Sequence, residues 1–303
     1  MSVPHPIPYQ GSKRSLAPEI LRYFPTDLGR LIEPFAGAAA VTLAAAYWRK
    51  TDCFVLNDIN EPLMELWRQI LSEPQKLAEQ YGALWRQQAG REREYYDWVR
   101  DQFNCTHRPD YLLYLLARCV KASVRYNTLG EFNQSPDNRR RGARPETMAA
   151  HIQGASRLLA DRTKILCGDY RAVLQQAVPG DLIYMDPPYQ GVSGRRDVRY
   201  VSPLSHSDFV AALHELNTCQ LSYMVSYDGR TGAKRYGDPL PSSLNLTHIE
   251  LAAGVSSQAT LLGRRAKTYE SLYLSPALAR RIGLSPTNTF IPAREQLALF
   301  KDA

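Results

Sequence analysis

In Leu182-Ile183-Tyr184-Met185-Asp186-Pro187-Pro188-Tyr189, four apolar residues run directly into an acid and two consecutive prolines. Proline cannot donate to a sheet ladder, so a strand entering this run stops and leaves the Asp186 carboxylate at its C-terminal end. Open α/β sheets bind their ligands at that end of the strands. The four residues suit the chemistry of an exocyclic amino group, whose lone pair is delocalised into the ring of adenine or cytosine. Two acceptors holding both N–H bonds favour a pyramidal, nucleophilic nitrogen. Asp186 supplies one acceptor, and the Pro187 carbonyl, turned into the same space, supplies the other. The ring of Tyr189 offers a flat face to an unstacked base. A Pro-Pro turn after a strand is also a common loop device, and the flanking sequence has to choose between the two.

Upstream, Leu31-Ile32-Glu33-Pro34-Phe35-Ala36-Gly37 reads as a short strand that breaks at Pro34 and turns at Gly37, followed by an Ala-rich helix over residues 38–50. A strand, a small-residue turn and a helix N-terminus form an approach for a nucleotide-like ligand, and the positive helix end favours a carboxylate such as that of methionine. A second strand, residues 53–57, closes in Asp58, 21 residues after Gly37, where a carboxylate holds a ribose hydroxyl pair. The same order would serve a nicotinamide dehydrogenase, but Gly37 is followed only by alanines and the G-x-G-x-x-G fingerprint is missing. A third strand, residues 164–167, runs into Gly168-Asp169-Tyr170, a carboxylate for an adenine amino group and a ring for the purine face; Asp169 serves equally as a helix N-cap. Near the N-terminus, Pro8-Tyr9-Gln10-Gly11-Ser12-Lys13-Arg14 brings a ring, a glycine and an ammonium close enough to meet one ligand, or is a plain helix lead-in.

Between the second and third strands the alternation of strand and helix is interrupted. Residues 61–71, 74–88, 92–103, 111–123 and 145–161 carry helical periodicity, which predicts a helical insert over residues 60–155. Its aromatics Trp67, Trp85, Tyr95, Tyr96 and Trp98 recur at helical spacing and read as core. From Lys121 to Arg144 six basic residues (Lys121, Arg125, Arg139, Arg140, Arg141, Arg144) face two acids, Glu131 and Asp137, a local net charge of +4. A basic loop with glycines and embedded rings suits a DNA duplex; the plainer alternative is a solvated loop. A second basic loop, residues 190–203, carries Arg195, Arg196 and Arg199 beside the proposed chemistry. A helix over 205–217 and strands over 221–226, 244–251 and 269–274 follow, with a turn at Tyr227-Asp228-Gly229 and a loosely held tail over 275–303.

Composition excludes several classes. The formal charge of +7 and pI near 9.1 permit a polyanionic partner. The five cysteines are widely spaced and never form Cys-x-x-Cys, which argues against a disulfide framework and a zinc site, and no metal is expected. None follows a proline, which disfavours covalent attack on a pyrimidine ring. No run approaches the ~20 apolar residues of a membrane span and no signal-peptide core opens the chain, so the expectation is a cytoplasmic protein.

Asp186-Pro187-Pro188-Tyr189 resembles the signature of Dam-type DNA adenine methylases, and Glu33-Pro34-Phe35-Ala36-Gly37 with Asn57-Asp58 resembles their cofactor motifs. Tyr9 and Lys13 match a first motif that usually carries Trp, and Ala39 stands where many members carry a second glycine. Arg125-Tyr126-Asn127, with Gly130 and Phe132-Asn133, resembles the segment entering the family's target-recognition region. The resemblance spans roughly residues 7 to 275 and implies an α/β, Rossmann-like methyltransferase sheet with an inserted helical target-recognition subdomain. Residues 1–59 and 156–275 would form the catalytic domain, 60–155 the insert and 276–303 the tail. It implies S-adenosylmethionine as cofactor, held by Tyr9, Lys13, Glu33, Pro34, Phe35, Ala36, Gly37, Asp58, Asp169, Tyr170 and Asp186, and catalysis by Asp186, Pro187, Pro188 and Tyr189. Double-stranded DNA would be met by Arg125, Tyr126, Asn127, Arg139, Arg140, Arg141, Arg195 and Arg196, and a cognate restriction endonuclease is a further partner. A cytosine-N4 methyltransferase would share this fold, and a silent DNA-binding module would keep the basic loops. Gln296-Leu297-Ala298-Leu299-Phe300 looks like the peptide by which bacterial replication proteins dock on the sliding clamp; equal clamp recovery without residues 296–300 would sink that reading.

Overall fold

A computed structural model describes residues 2–188, 204–231, 234–236, 239–255, 267–284 and 290–291. The chain forms two compact units, one of Met1–Lys13, Phe35–Tyr170 and Ser193–Ser202, the other of Arg14–Pro34, Arg171–Val192 and Pro203–Ala303.

The second unit opens with a single helical turn, α1 (Ala17–Ile20), and is built on β1 (Leu31–Glu33), β4 (Leu182–Met185) and β5 (Tyr223–Thr231), parallel in the order β1-β4-β5. Every residue of β1 and β4 is buried, as expected of strands in a covered parallel sheet; β4 is a continuous apolar run, and β1 ends in the buried Glu33. The strand starts are locked together. Arg30 donates to both carboxylate oxygens of Asp181, at 2.9 and 2.7 Å, and Leu182 N–H donates to the Arg30 carbonyl at 2.8 Å. The helix α9 (His206–Thr218), capped by Ser205, lies between β4 and β5 in the chain and buries Phe209, Leu213 and Leu216.

Beyond β5 the pairing turns antiparallel. β8 (Lys267–Leu274) pairs with β5, β7 (Thr247–Val255) with β8, β6 (Lys234–Tyr236) returns against β5, and β9 (Phe290–Ile291) joins β7 in parallel. A parallel run extended by antiparallel strands is the sheet of a Rossmann-like methyltransferase, and the fold is the α/β class expected from the sequence.

Two expectations are corrected here. Tyr227-Asp228-Gly229, expected as a turn, lies inside β5, where the register shifts between Ser226 and Gly229 as in a β-bulge. Gly229 serves strand approach, since a Cβ there would sit 2.7 Å from the Tyr269 carbonyl oxygen. The segment after Ser275, expected to be loose, begins with a docked helix, Pro276–Arg281, whose Leu278 and Ala279 are fully buried and whose N-terminus is capped by Ser275.

The first unit pairs β2 (Phe54–Leu56) in parallel with β3 (Thr163–Ile165). Its helices are α2 (Ala40–Tyr47), α3 (Glu61–Ser72), α4 (Pro74–Gln87), α5 (Glu92–Thr106), α6 (Pro109–Arg118) and α7 (Pro145–Leu159), and Tyr170 opens α8 (Tyr170–Leu174). Proline in the first turn starts α3, α4, α6 and α7, where its missing N–H costs nothing. α6 stops at Arg118, short of the expected residue 123, because Cys119 turns extended (ψ 161°), and Lys121 and Ala122 beyond it are left-handed (φ +60° and +51°). Among the described residues no helix is long and apolar enough to cross a membrane.

Candidate active site

Four groups of the first unit converge on the turn after Phe35. Gly37 has a φ of +48°, and a Cβ on it would lie 3.4 Å from the Tyr9 ring. Ala39, at the N-cap of α2, is also left-handed (φ +46°), a conformation that favours glycine and that alanine adopts at a cost of about 1 kcal/mol. The Gly37 N–H donates to Asp58 Oδ2 (3.1 Å), and its carbonyl accepts from the indole N–H of Trp67 (2.9 Å). Asp58 Oδ1 accepts from the Asn60 N–H (3.0 Å), so one carboxylate ties the end of β2 to the glycine turn. Burial holds the Asp58 carboxyl above the ordinary carboxylate range, against the opposing pull of its backbone N–H donors.

The remaining residues expected to meet a cofactor lie as follows. Lys13 is buried, its ammonium donating to the Gly11 carbonyl at 3.2 Å. Ala36 is buried and donates its N–H to the Asn57 carbonyl (2.8 Å), while the Asn57 amide donates to the Gly168 carbonyl (2.9 Å). Asp169 is exposed after β3. Tyr170 is buried and packs on Phe35 at 5.1 Å and 31° between rings, leaving Phe35 as the more open of the two faces. Glu33 and Pro34, both buried at the end of β1, belong to the second unit.

In that unit β4 ends as its sequence requires, with Asp186 half-buried, Pro187 buried and Pro188 half-buried. The neighbouring end of β5 is stiffened by polar and aromatic contacts. Tyr184 OH and Ser226 Oγ are 2.9 Å apart, Tyr227 OH lies 2.7 Å from His206 Nδ1, and the Tyr227 ring stacks on Phe209 at 5.6 Å. Tyr189, Arg195, Arg196 and residues 296–300 lie outside the described residues.

The basic segment is an anchored hairpin. Tyr126 and Phe132 bridge in antiparallel fashion, and Asn127 N–H donates to the Glu131 carbonyl (2.8 Å). Asn104 of α5 clamps the Phe132 backbone on both sides, accepting its N–H at 2.8 Å and donating to its carbonyl at 3.1 Å. The Phe132 ring is buried against Phe103 and Tyr126. Of the residues expected to face DNA, Arg125 is half-buried, and Tyr126 turns its hydroxyl to Asn60 Oδ1 (3.4 Å); burial pushes that hydroxyl up to about 12. The Asn127 side chain builds the tip: its Oδ1 accepts from the N–H of Leu129 and of Glu131, both at 2.9 Å, and its Nδ2 donates to Glu131 Oε2 at 2.7 Å. Residues 128–131 of the tip are all exposed, Leu129 to 80%. Arg139, Arg140 and Arg141 are exposed, Arg140 beside Asp137 (3.5 Å) and Arg141 beside Glu92 (2.8 Å).

Sequence reasoning missed Asn60, Trp67, Asn104 and Leu129. Only Asn60 carried a local signal, the N-cap pattern Asn60-Glu61-Pro62. Trp67 and Asn104 act on backbone groups about 30 residues away in sequence, and Leu129 is an exposed side chain at the hairpin tip.

The sequence is similar to those of several DNA adenine methylases. The chain is 32% identical over 190 residues to a DNA N-6-adenine-methyltransferase of Escherichia phage P1, covering 60% of this chain and 23% of the relative. It is 30% identical over 189 residues to the Retron Ec67 DNA adenine methylase of Escherichia coli, covering 60% and 62%. A DNA adenine methylase of Serratia marcescens is 26% identical over 226 residues, covering 73% and 78%. The chain thus spans less than two thirds of the length of the first two. Residues 9–250 match the model of the D12 class N6 adenine-specific DNA methyltransferases, and the chain belongs to that family.

Proposed function

We propose that the chain is a site-specific methyltransferase that acts on the N6 amino group of an adenine extruded from double-stranded DNA, with S-adenosylmethionine as methyl donor. The observation that carries this reading is the family match over residues 9–250, which includes an Asp-Pro-Pro sequence at the C-terminal end of the buried parallel strand β4. Asp186 and the Pro187 carbonyl accept the two N–H bonds of the target amino group and direct its lone pair outward. The carboxylate also faces the positive charge that grows on the nitrogen as it forms its new bond. Tyr189 lends its ring to the flipped base.

The residues around Gly37 fit the proposed cofactor. The glycine turn leaves a cradle that a Cβ would fill, 3.4 Å from the Tyr9 ring. The N-terminus of α2 suits the methionine carboxylate, Asp58 has acceptor capacity left for ribose hydroxyls, and the Phe35 face, backed by Tyr170, suits the adenine. Tyr9, Lys13, Glu33, Pro34, Ala36 and Asp169 complete the set. S-adenosylmethionine, when bound, supplies an electrophilic methyl group on a sulfonium.

Residues 60–155 serve in this reading as the target-recognition insert, with the exposed Leu129 as an apolar wedge between base steps and Arg125, Arg139, Arg140, Arg141, Arg195 and Arg196 on phosphates. A cognate restriction endonuclease and a sliding clamp met through Gln296 to Phe300 are proposed as further partners on the strength of sequence alone.

The test is incubation with labelled S-adenosylmethionine and unmethylated mixed-sequence DNA, followed by nucleoside analysis. N6-methyladenine is expected; N4-methylcytosine would assign the other amino group. Asp186→Ala should lower turnover at least about 100-fold while cofactor binding survives, and wild-type turnover in that variant refutes the assignment.

A further inference from the structure

We infer that Glu131 reads a cytosine in the DNA recognition sequence, an inference that rests on the methyltransferase reading above. The residue is an anomaly of charge. In a segment with six basic side chains it is one of two acids, and the other, Asp137, is turned inward, accepting the Arg139 N–H at 2.9 Å and pairing with Arg140. Glu131 is exposed at the hairpin tip, two residues from the exposed Leu129.

Its carboxylate is ordered rather than trailing in solvent. Asn127 Nδ2 holds Oε2 at 2.7 Å, and the same Asn127 amide oxygen fixes the backbone N–H of Glu131 at 2.9 Å. Among the described residues the other carboxylate oxygen accepts no hydrogen bond. Asn104 and Phe132 anchor the strand that follows, so the acceptor is presented from a rigid base. Gly130, at φ +78° with open space where a Cβ would stand, lets the tip approach a surface closely.

A carboxylate is an acceptor only, and phosphates repel it. On a DNA-facing tip it is therefore tolerated where it meets a donor, which means an exocyclic amino group on a base edge. In the major groove cytosine N4 is the standard partner of Glu. In adenine the N6 donor is flanked on the same base by the N7 acceptor, which repels the second carboxylate oxygen. The basic residues around Glu131 then take the phosphates on either side and set its register.

The experiment maps methylated adenines on mixed-sequence DNA for the wild type, Glu131→Gln and Glu131→Arg. Gln keeps the acceptor for Asn127 and the shape of the side chain, so the hairpin stays formed, but it removes the charge and adds a donor. The expected result is a fixed cytosine in the wild-type context whose preference falls about ten-fold or more in Glu131→Gln and moves toward guanine in Glu131→Arg, while the thermal shift with S-adenosylmethionine is unchanged. An identical sequence context in all three proteins overturns the inference and leaves the methyltransferase reading standing. Absence of methylation by the wild type on any DNA overturns the reading itself, and this inference with it.

Discussion

Replacing Asn104 by alanine should loosen the hairpin around Phe132 without touching the residues proposed to hold a cofactor. The side chain makes two hydrogen bonds to one residue, accepting the Phe132 N–H at 2.8 Å and donating to its carbonyl at 3.1 Å. Its loss leaves two partly buried backbone groups without partners, each worth about 1–3 kcal/mol when fully buried, so a total near 2 kcal/mol is expected. The Phe132 ring keeps its packing on Phe103. The loss therefore falls on the ordered fraction of the hairpin, and the apparent Kd for DNA rises by up to about 30-fold. Fluorescence anisotropy with labelled DNA and urea unfolding read the two effects, and calorimetry with S-adenosylmethionine should stay within about two-fold of the wild type. Asn104→Asp sharpens the test. At neutral pH it keeps the acceptor but sets a second acceptor against the Phe132 carbonyl, so it should be at least as damaging as alanine. Protonation restores a donor, which raises the folded-state pKa of the new carboxyl; its stabilising contribution is present at low pH and lost as pH rises through that value. Stability and DNA affinity of Asn104→Ala within about 0.5 kcal/mol of the wild type would refute the anchoring role.

Asp58 makes two quantities move in opposite directions with pH. Its folded-state pKa is raised, so the stability it contributes is present at low pH and lost as pH rises through that pKa, whereas in the proposed site, where the ionised carboxylate accepts ribose hydroxyls, affinity for S-adenosylmethionine should rise over the same interval. Thermal midpoints and cofactor Kd measured from the ordinary carboxylate range to neutrality check this, and Asp58→Asn should flatten both curves. Gly229→Ala should cost about 1–3 kcal/mol in urea unfolding, because its Cβ would press to 2.7 Å on the Tyr269 carbonyl oxygen of the adjacent strand. An unchanged midpoint counts against the close approach.

What was legible in the sequence was whatever local chemistry enforces. Two prolines stop β4 whatever surrounds it, Pro62, Pro74 and Pro145 start their helices, and the apolar run of β4 leaves no choice but burial. Residues whose role depends on a distant partner were misread or missed. Gly229 looks like a turn residue until the neighbouring strand is present. Trp67 reads as core and is fully buried, yet its N–H also fixes the Gly37 carbonyl 30 residues away. The helix Pro276–Arg281 was hidden by the prolines and polar residues around it, while Leu278 and Ala279 find their burial only against the assembled sheet.

The Arg30–Asp181 ion pair makes β4 a ruler. One end of the strand is pinned at Asp181 by two hydrogen bonds, and the other ends at Asp186, five residues on. Side chains alternate faces along a strand, so inserting or deleting one residue between those points would turn the carboxylate to the opposite side of the sheet. A change of two would restore the face but displace the group by about 6–7 Å, beyond the reach of any hydrogen bond it should make. Insertions and deletions are therefore expected to be tolerated only outside this strand. Between Asp181 and Asp186 the chain can exchange one apolar side chain for another but cannot change its count.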